Sequence, residues 1–204
     1  MRITREETEK NRARIVAAAA QLFGERGFDG VGVVELMQAA GLTHGGFYNH
    51  FDSKEGLESA VCDAAFEAAV TRLEQIESET ATASRKRAAL AAYIAHYLST
   101  TVRDAPAPRC PMVALTGDAA RHGTDIRRHF AVGFKRYIDA LTGLMGRSAH
   151  APRAEAERLR REAVTLTATL VGAQLLARAV KDADVALSDD ILSTVHQATA
   201  RRRA

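Results

Sequence analysis

The segment Gly41–Leu57, GLTHGGFYNHFDSKEGL, constrains the fold more than any other part of the chain, because it makes helices stop and restart within a few residues. Val33 to Ala40 reads as a short apolar helix with Gly32 as a tolerable cap and Glu35 at its favourable N-terminal end. Gly41 supplies the left-handed turn that ends it. Thr43 then offers its hydroxyl to the next free backbone N–H groups, so a second short helix starts almost at once. Helix, tight glycine turn, helix is the helix-turn-helix plan. Within the second helix Phe47 and Phe51 lie four apart and share the face expected to pack inward, which leaves Thr43, His44, Gly45, Tyr48 and Asn49 outside. Gly45 and Gly46 each cost about 1 kcal/mol in a helix interior relative to alanine. Close approach of the backbone to another surface is a sufficient reason for them, and the segment is expected to read DNA. Ser53 and Lys54 repeat the logic at the next helix: a cap, free N–H groups and a cation where a phosphate would sit. The alternative for Ser53-Lys54-Glu55 alone is an ordinary solvated helix start.

Glycine and proline are sparse elsewhere, alanine and leucine are abundant, and no alternating β-type run stands out, so the expected class is all-α. With 204 residues and 47% apolar content the chain is long enough for a sizeable core. Its net charge of +3 is misleading, because residues 1–60 hold seven Lys/Arg against nine Asp/Glu. Bulk basicity therefore gives no support to DNA binding there; the placement of a few cations does. The charged start and the short apolar run Ile15 to Phe23 do not read as a secretory signal, and the expectation is a cytoplasmic chain with no membrane partner. Two cysteines, Cys62 and Cys110, suit a reducing compartment. They have no metal-ligand spacing, and neither metal nor cofactor is expected.

Eight of the fourteen glycines fall within the first sixty residues, and longer helical patterns follow. From Lys54 to about Ser78 the residues Leu57, Val61, Ala65, Phe66, Ala69, Leu73 and Ile76 form an apolar stripe, so this helix runs from the first domain into the rest. Further helices are expected over Ser84 to Val102, up to Arg121 after a proline-marked loop, over Thr124 to Met145 and over Arg153 to Lys181. Ser188 is expected to cap a last helix that runs into the Arg201–Arg203 tail. That makes nine helices, in a DNA-binding domain at 5–52 and a helical body at 53–204.

Residues from about Arg12 to Leu57 resemble the N-terminal domain of the TetR family of bacterial transcriptional regulators. The matching features are Arg12, Ile15, Ala18, Ala19, Leu22, Phe23 and Gly27, then Leu36 and Ala40-Gly41-Leu42-Thr43. Gly45, Phe47, Tyr48, His50, Phe51, Lys54, Glu55 and Leu57 complete them. The resemblance implies phosphate contacts at Tyr48, Lys54 and Arg12, with Thr43, His44, Gly45 and Asn49 facing base edges. His50 belongs to the same candidate set. Where the family often has Thr-Ser before the second helix and a basic or polar residue inside it, this chain has Val31-Gly32 and Val34, so its operator should differ from those of better-known relatives. The resemblance further implies a one-component regulator, most often a repressor, that pairs through its last two helices and is released by a small-molecule inducer. A two-fold dimer calls for an inverted-repeat operator.

The run Ala163 to Val180 is apolar nearly all round, with Gly172 and Ala173 allowing close approach. It reads either as a central core helix or, with the resemblance, as part of the dimer surface. Phe66, Tyr93, Tyr97, Met112, Leu115, Phe130, Phe134, Tyr137 and Gln174 are candidates to line an inducer pocket, or are plain core. Cys110 stands in Ala-Pro-Arg-Cys-Pro-Met, beside Arg109 and at a helix start, two features that favour a thiolate. This resembles a branch of the family with a cysteine at that point, in which some members sense electrophiles or oxidants. A lysine that can assist there is matched by Arg178, which supplies no amine nucleophile. A thiol-switched repressor and a small buried residue remain the alternatives for Cys110. Nothing places Cys110 with His96 or His122 as a catalytic pair, and no enzyme is expected. A helical adaptor that binds only protein is the remaining class.

Overall fold

The computed structural model describes residues 4–107, 110–148 and 150–201. Their secondary structure is helical throughout: α1 (Arg5–Arg26), α2 (Val33–Ala39), the 3₁₀ helix η1 (His44–Asn49), α3 (Lys54–Ser78), α4 (Ala83–Tyr97), α5 (Thr100–Asp104), α6 (Pro111–Arg121), α7 (Thr124–Leu144), α8 (Arg153–Val180) and α9 (Val185–Arg201). The all-α expectation holds, with one helical segment more than expected among the described residues. The helix expected over Ser84 to Val102 breaks at Leu98–Ser99, because Ser99 turns extended and its Oγ accepts from the Val102 N–H at 3.3 Å, capping α5. Apolar periodicity cannot see such a break, since the cap is a single residue.

Ser188 is a second correction. It lies inside α9 rather than at its start, is fully buried, and donates to the Ala177 carbonyl at 2.8 Å. Asp184 serves the helix start instead, accepting from the Leu187 N–H at 2.9 Å.

The chain divides into two compact units, one holding residues up to Glu67 together with Pro106–Gly133, the other Ala68–Ala105 with Phe134 onward. In the first, Ile15, Phe23, Phe28, Leu36, Met37, Phe47, Leu57 and Phe66 are wholly buried. Each such side chain contributes about 1.5–3 kcal/mol on burial, so a few large residues hold together elements as short as α2 and η1. Phe23 and Phe28 meet edge to face at 5.0 Å between ring centroids.

In the second unit α8 packs along α9, and Leu166, Leu170, Ala173 and Ala177 of α8 and Leu192 of α9 are buried. Arg103 of α5 is buried there, donating to Ser188 Oγ at 2.9 Å and pairing with Asp104 and Asp189. The opposite side of α8 stays open, with Val164, Leu175 and Leu176 at 39%, 42% and 60% exposure.

Candidate nucleic-acid interface

The turn between α2 and η1 forms as its glycine dictates. Gly41 sits at φ +67°, its N–H donates to the Gln38 carbonyl at 2.9 Å, and the Leu42 N–H donates to the Met37 carbonyl at 2.9 Å. These bonds satisfy helix-end carbonyls that would otherwise have no partner. Thr43 precedes η1 in extended conformation, but its hydroxyl makes no capping bond, contrary to expectation. The reason is the 3₁₀ start: the Gly46 N–H that a hydroxyl would have taken donates to Thr43's own carbonyl at 3.0 Å.

Phe47 is wholly buried, stacks on Phe51 at 5.8 Å and meets Tyr48 edge to face at 5.3 Å. This anchoring turns Thr43, His44, Gly45, Tyr48 and Asn49 outward, with Tyr48 66% exposed. Arg12 of α1 joins them, its guanidinium 4.3 Å from the Phe51 ring centroid. His50 is half-buried, and its Nδ1 is enclosed without a hydrogen-bond partner. A Cβ at Gly45 would meet nothing within 4 Å, and its backbone is not in the left-handed region. Neither packing nor conformation inside the protein therefore requires glycine at that position. Val34, one of the departures from the family pattern, is 51% exposed on α2.

Lys54 takes a different posture from the outward cation expected of it. Its ammonium donates to the Phe28 carbonyl at 2.6 Å, lies 3.8 Å from Glu58 and 5.9 Å from the centre of the Phe23 ring. The start of α3 is also capped from within. Ser53 Oγ accepts from the Gly56 N–H at 3.1 Å, and Glu55 is held below the usual carboxylate range by its own backbone N–H and the Ser53 hydroxyl. Glu58, which the sequence reading passed over, is 2% exposed, and burial pushes its carboxyl up despite the opposing charges of Lys54 and His122. His122, just after α6, places Nδ1 3.8 Å from Glu58 and Nε2 3.7 Å from Asp29. The spacing of Lys54 and Glu58 on one helix face was visible beforehand. The burial of Glu58 was not.

The expected pocket residues fall in both units. In the first, Phe66 meets Phe130 edge to face at 5.1 Å, Met112 and Leu115 are buried, and Cys110 is half-buried at the N-terminal end of α6. Arg109, its expected neighbour, lies outside the described residues, as do Arg202 and Arg203. Cys62 is core, and burial pushes its thiol up to about 12. In the second unit the Tyr93 and Tyr137 hydroxyls pair at 2.8 Å, Phe134 is half-buried, and Gln174 donates to the Tyr97 carbonyl while its Oε1 stays enclosed and unpartnered. Arg178 donates to the carbonyls of Arg103 and Ala105, tying down the end of α5. A cleft of about 510 Å³ is lined by none of these residues but by Val70, Glu74, Glu77, Arg136, Asp139, Ala140, Gly143 and Arg147. Its walls are ion-paired, Lys86 with Glu77 and both Arg147 and Arg160 with Asp139. Among the described residues no group of three or more His, Cys, Asp and Glu is placed to hold a metal.

Residues 15–61 match the family described as bacterial regulatory proteins, tetR family. The transcriptional regulator TtgR of Pseudomonas putida is 36% identical over 67 residues, which is 33% of this chain and 32% of TtgR, so that match spans about a third of the relative. The transcriptional repressor NemR of Escherichia coli is 28% identical over 169 residues, covering 82% of this chain and 83% of NemR. The crystal structure of E. coli NemR in its reduced form superposes with a TM-score of 0.73 at 23% identity, covering 92% of this chain and 94% of that one, and so shares the fold.

Proposed function

From the chain's membership of the TetR family of bacterial regulatory proteins, we propose that it is a homodimeric, one-component transcriptional repressor that leaves an inverted-repeat operator when a small molecule binds its helical body. The observation that carries this reading is the exposed row Thr43, His44, Gly45, Tyr48 and Asn49, presented by the buried Phe47 beside Arg12, with a glycine that nothing inside the protein requires. Thr43, His44, Gly45 and Asn49 are assigned to base edges, and Tyr48, Arg12 and Lys54 to phosphates, with His50 at the margin. The dimer is assigned to α8 and α9, where Val164, Leu175, Leu176, Val185 and Leu187 leave a band of apolar surface open on the protomer. Two copies then present two η1 segments to two half-sites. The protein acts in the cytoplasm as a regulator rather than an enzyme.

The mechanism is a population shift. An inducer that binds the DNA-competent state less tightly than the alternative lowers operator affinity by linkage. A second reading, in which Cys110 is the switch, is favoured by its half-buried place at the start of α6, in contrast to the buried Cys62. One experiment tests both: mobility shift of the purified protein on its own upstream DNA, with and without N-ethylmaleimide, alongside Cys110→Ser. Release of the wild type but not of the variant makes Cys110 the switch. Retention in both leaves a repressor with a reversible inducer, and failure to capture any specific duplex, including one selected from a random pool, refutes the regulator reading.

A further inference from the structure

The buried group that the DNA-binding reading leaves unused is Glu58. It lies one turn after Lys54 on α3, 2% exposed, with its Oε2 accepting no hydrogen bond. Four ionisable groups face it: Lys54 and Glu55 from its own helix, His122 at the end of α6, and Asp29 from the connection between α1 and α2. His122 turns one ring nitrogen to Glu58 and the other to Asp29, at 3.8 Å and 3.7 Å. A neutral imidazole carries a single N–H, so one of those carboxylates faces a lone pair until the cluster takes up a proton.

We propose that Glu58, with His122, decides whether Lys54 reaches a DNA phosphate. The proposal rests on the reading of the η1 face as a DNA contact. Ionised Glu58 holds the Lys54 ammonium inward, where the Phe28 carbonyl accepts from it at 2.6 Å. A proton added to Glu58 removes the charge that attracts Lys54. A proton added to His122 instead gives Glu58 a second cation, at the same 3.8 Å as Lys54, and weakens its hold on Lys54. Either way one proton loosens the ammonium, which can then turn to the solvent side of the first turn of α3. Because His122 directly follows α6, a displacement of that helix end acts on the same contact without a change of pH. Glu58 and His122 are positioning residues in this account, and Lys54 is the contact.

The test measures anisotropy of a labelled duplex, selected from a random pool by the full-length protein, from pH 4.5, the ordinary value of a glutamate, to about pH 8 and from about 50 to 200 mM salt. Wild type, Glu58→Gln and Lys54→Met are compared. The wild type is expected to bind more tightly, with a steeper salt dependence, toward low pH. Glu58→Gln should bind several-fold tighter at the high end of the range, with a salt slope larger by about one unit for each added phosphate contact, and should lose most of the pH response. Lys54→Met, whose side chain is partly exposed, should lose that response without loss of fold. Superimposable pH profiles and slopes for wild type and Glu58→Gln overturn the proposal while leaving the regulator reading standing. Weaker binding by Glu58→Gln at an unchanged slope also overturns it, in favour of a packing role. Absence of sequence-selective binding by the wild type overturns the regulator reading and this one with it.

Discussion

Gly45→Ala separates what the fold needs from what DNA needs. A methyl group at this position meets nothing within 4 Å, and the backbone is not in the left-handed region, so the folded protein accommodates it without strain. The unfolded chain loses conformational freedom, which favours the folded state by about 0.4–1 kcal/mol. For a chain of this size that corresponds to a rise in Tm of about 1–4 °C. On DNA the sign reverses. If the exposed face of η1 lies against base edges, the added methyl overpacks a close contact at a cost of about 1–3 kcal/mol per head, which raises the operator Kd by about tenfold or more. A circular dichroism melt and an anisotropy titration on one preparation give both numbers. A raised Tm with unchanged operator affinity would refute the assignment of this face to DNA, and a lowered Tm would refute the structural half of the reasoning.

Leu176→Asp should dissociate the dimer: burying the 60% of Leu176 now exposed is worth roughly 1.5 kcal/mol per copy, about a hundredfold in Kd over the two copies. Sedimentation across a dilution series checks this, and an intact dimer would move the interface away from α8. In native protein one thiol should react quickly with a disulfide reagent and one slowly, because burial holds the Cys62 thiol protonated; Cys110→Ser should abolish the fast phase. Glu58 has a folded pKa above its ordinary value, so its stabilising contribution is complete below about pH 4.5 and is lost as pH rises through the folded value. The Tm of Glu58→Gln minus that of wild type should therefore grow with pH and then level off, and a difference that shrinks with rising pH would contradict the burial argument. Gly133→Ala should behave oppositely to Gly45→Ala, since its Cβ would lie 2.3 Å from the ring of buried Phe66. Overpacking of that kind costs about 1–3 kcal/mol, seen as a lower Tm.

The sequence by itself determined the elements whose causes are local. Gly41 could end α2, Phe47 and Phe51 had to share a face, and the stripe from Leu57 to Ile76 required one long helix, because capping and periodicity act between residues no more than four apart. That was enough to expose Thr43, His44, Gly45, Tyr48 and Asn49 and to identify the resemblance they carry. Tertiary structure alone decided what depends on distant partners. Lys54 turns inward because the Phe28 carbonyl and Glu58 receive it, and the buried Glu58 has His122, from the end of α6, within 3.8 Å. Ser188 sits inside α9 because Ala177 and Arg103 bind it there. Arg178, expected at a reactive site, serves the carbonyls of Arg103 and Ala105. The partners of Lys54 at Phe28, of Glu58 at His122, and of Ser188 and Arg178 at Arg103 lie tens of residues away in sequence. No pattern confined to one helix records which of them packing will bring within hydrogen-bond reach.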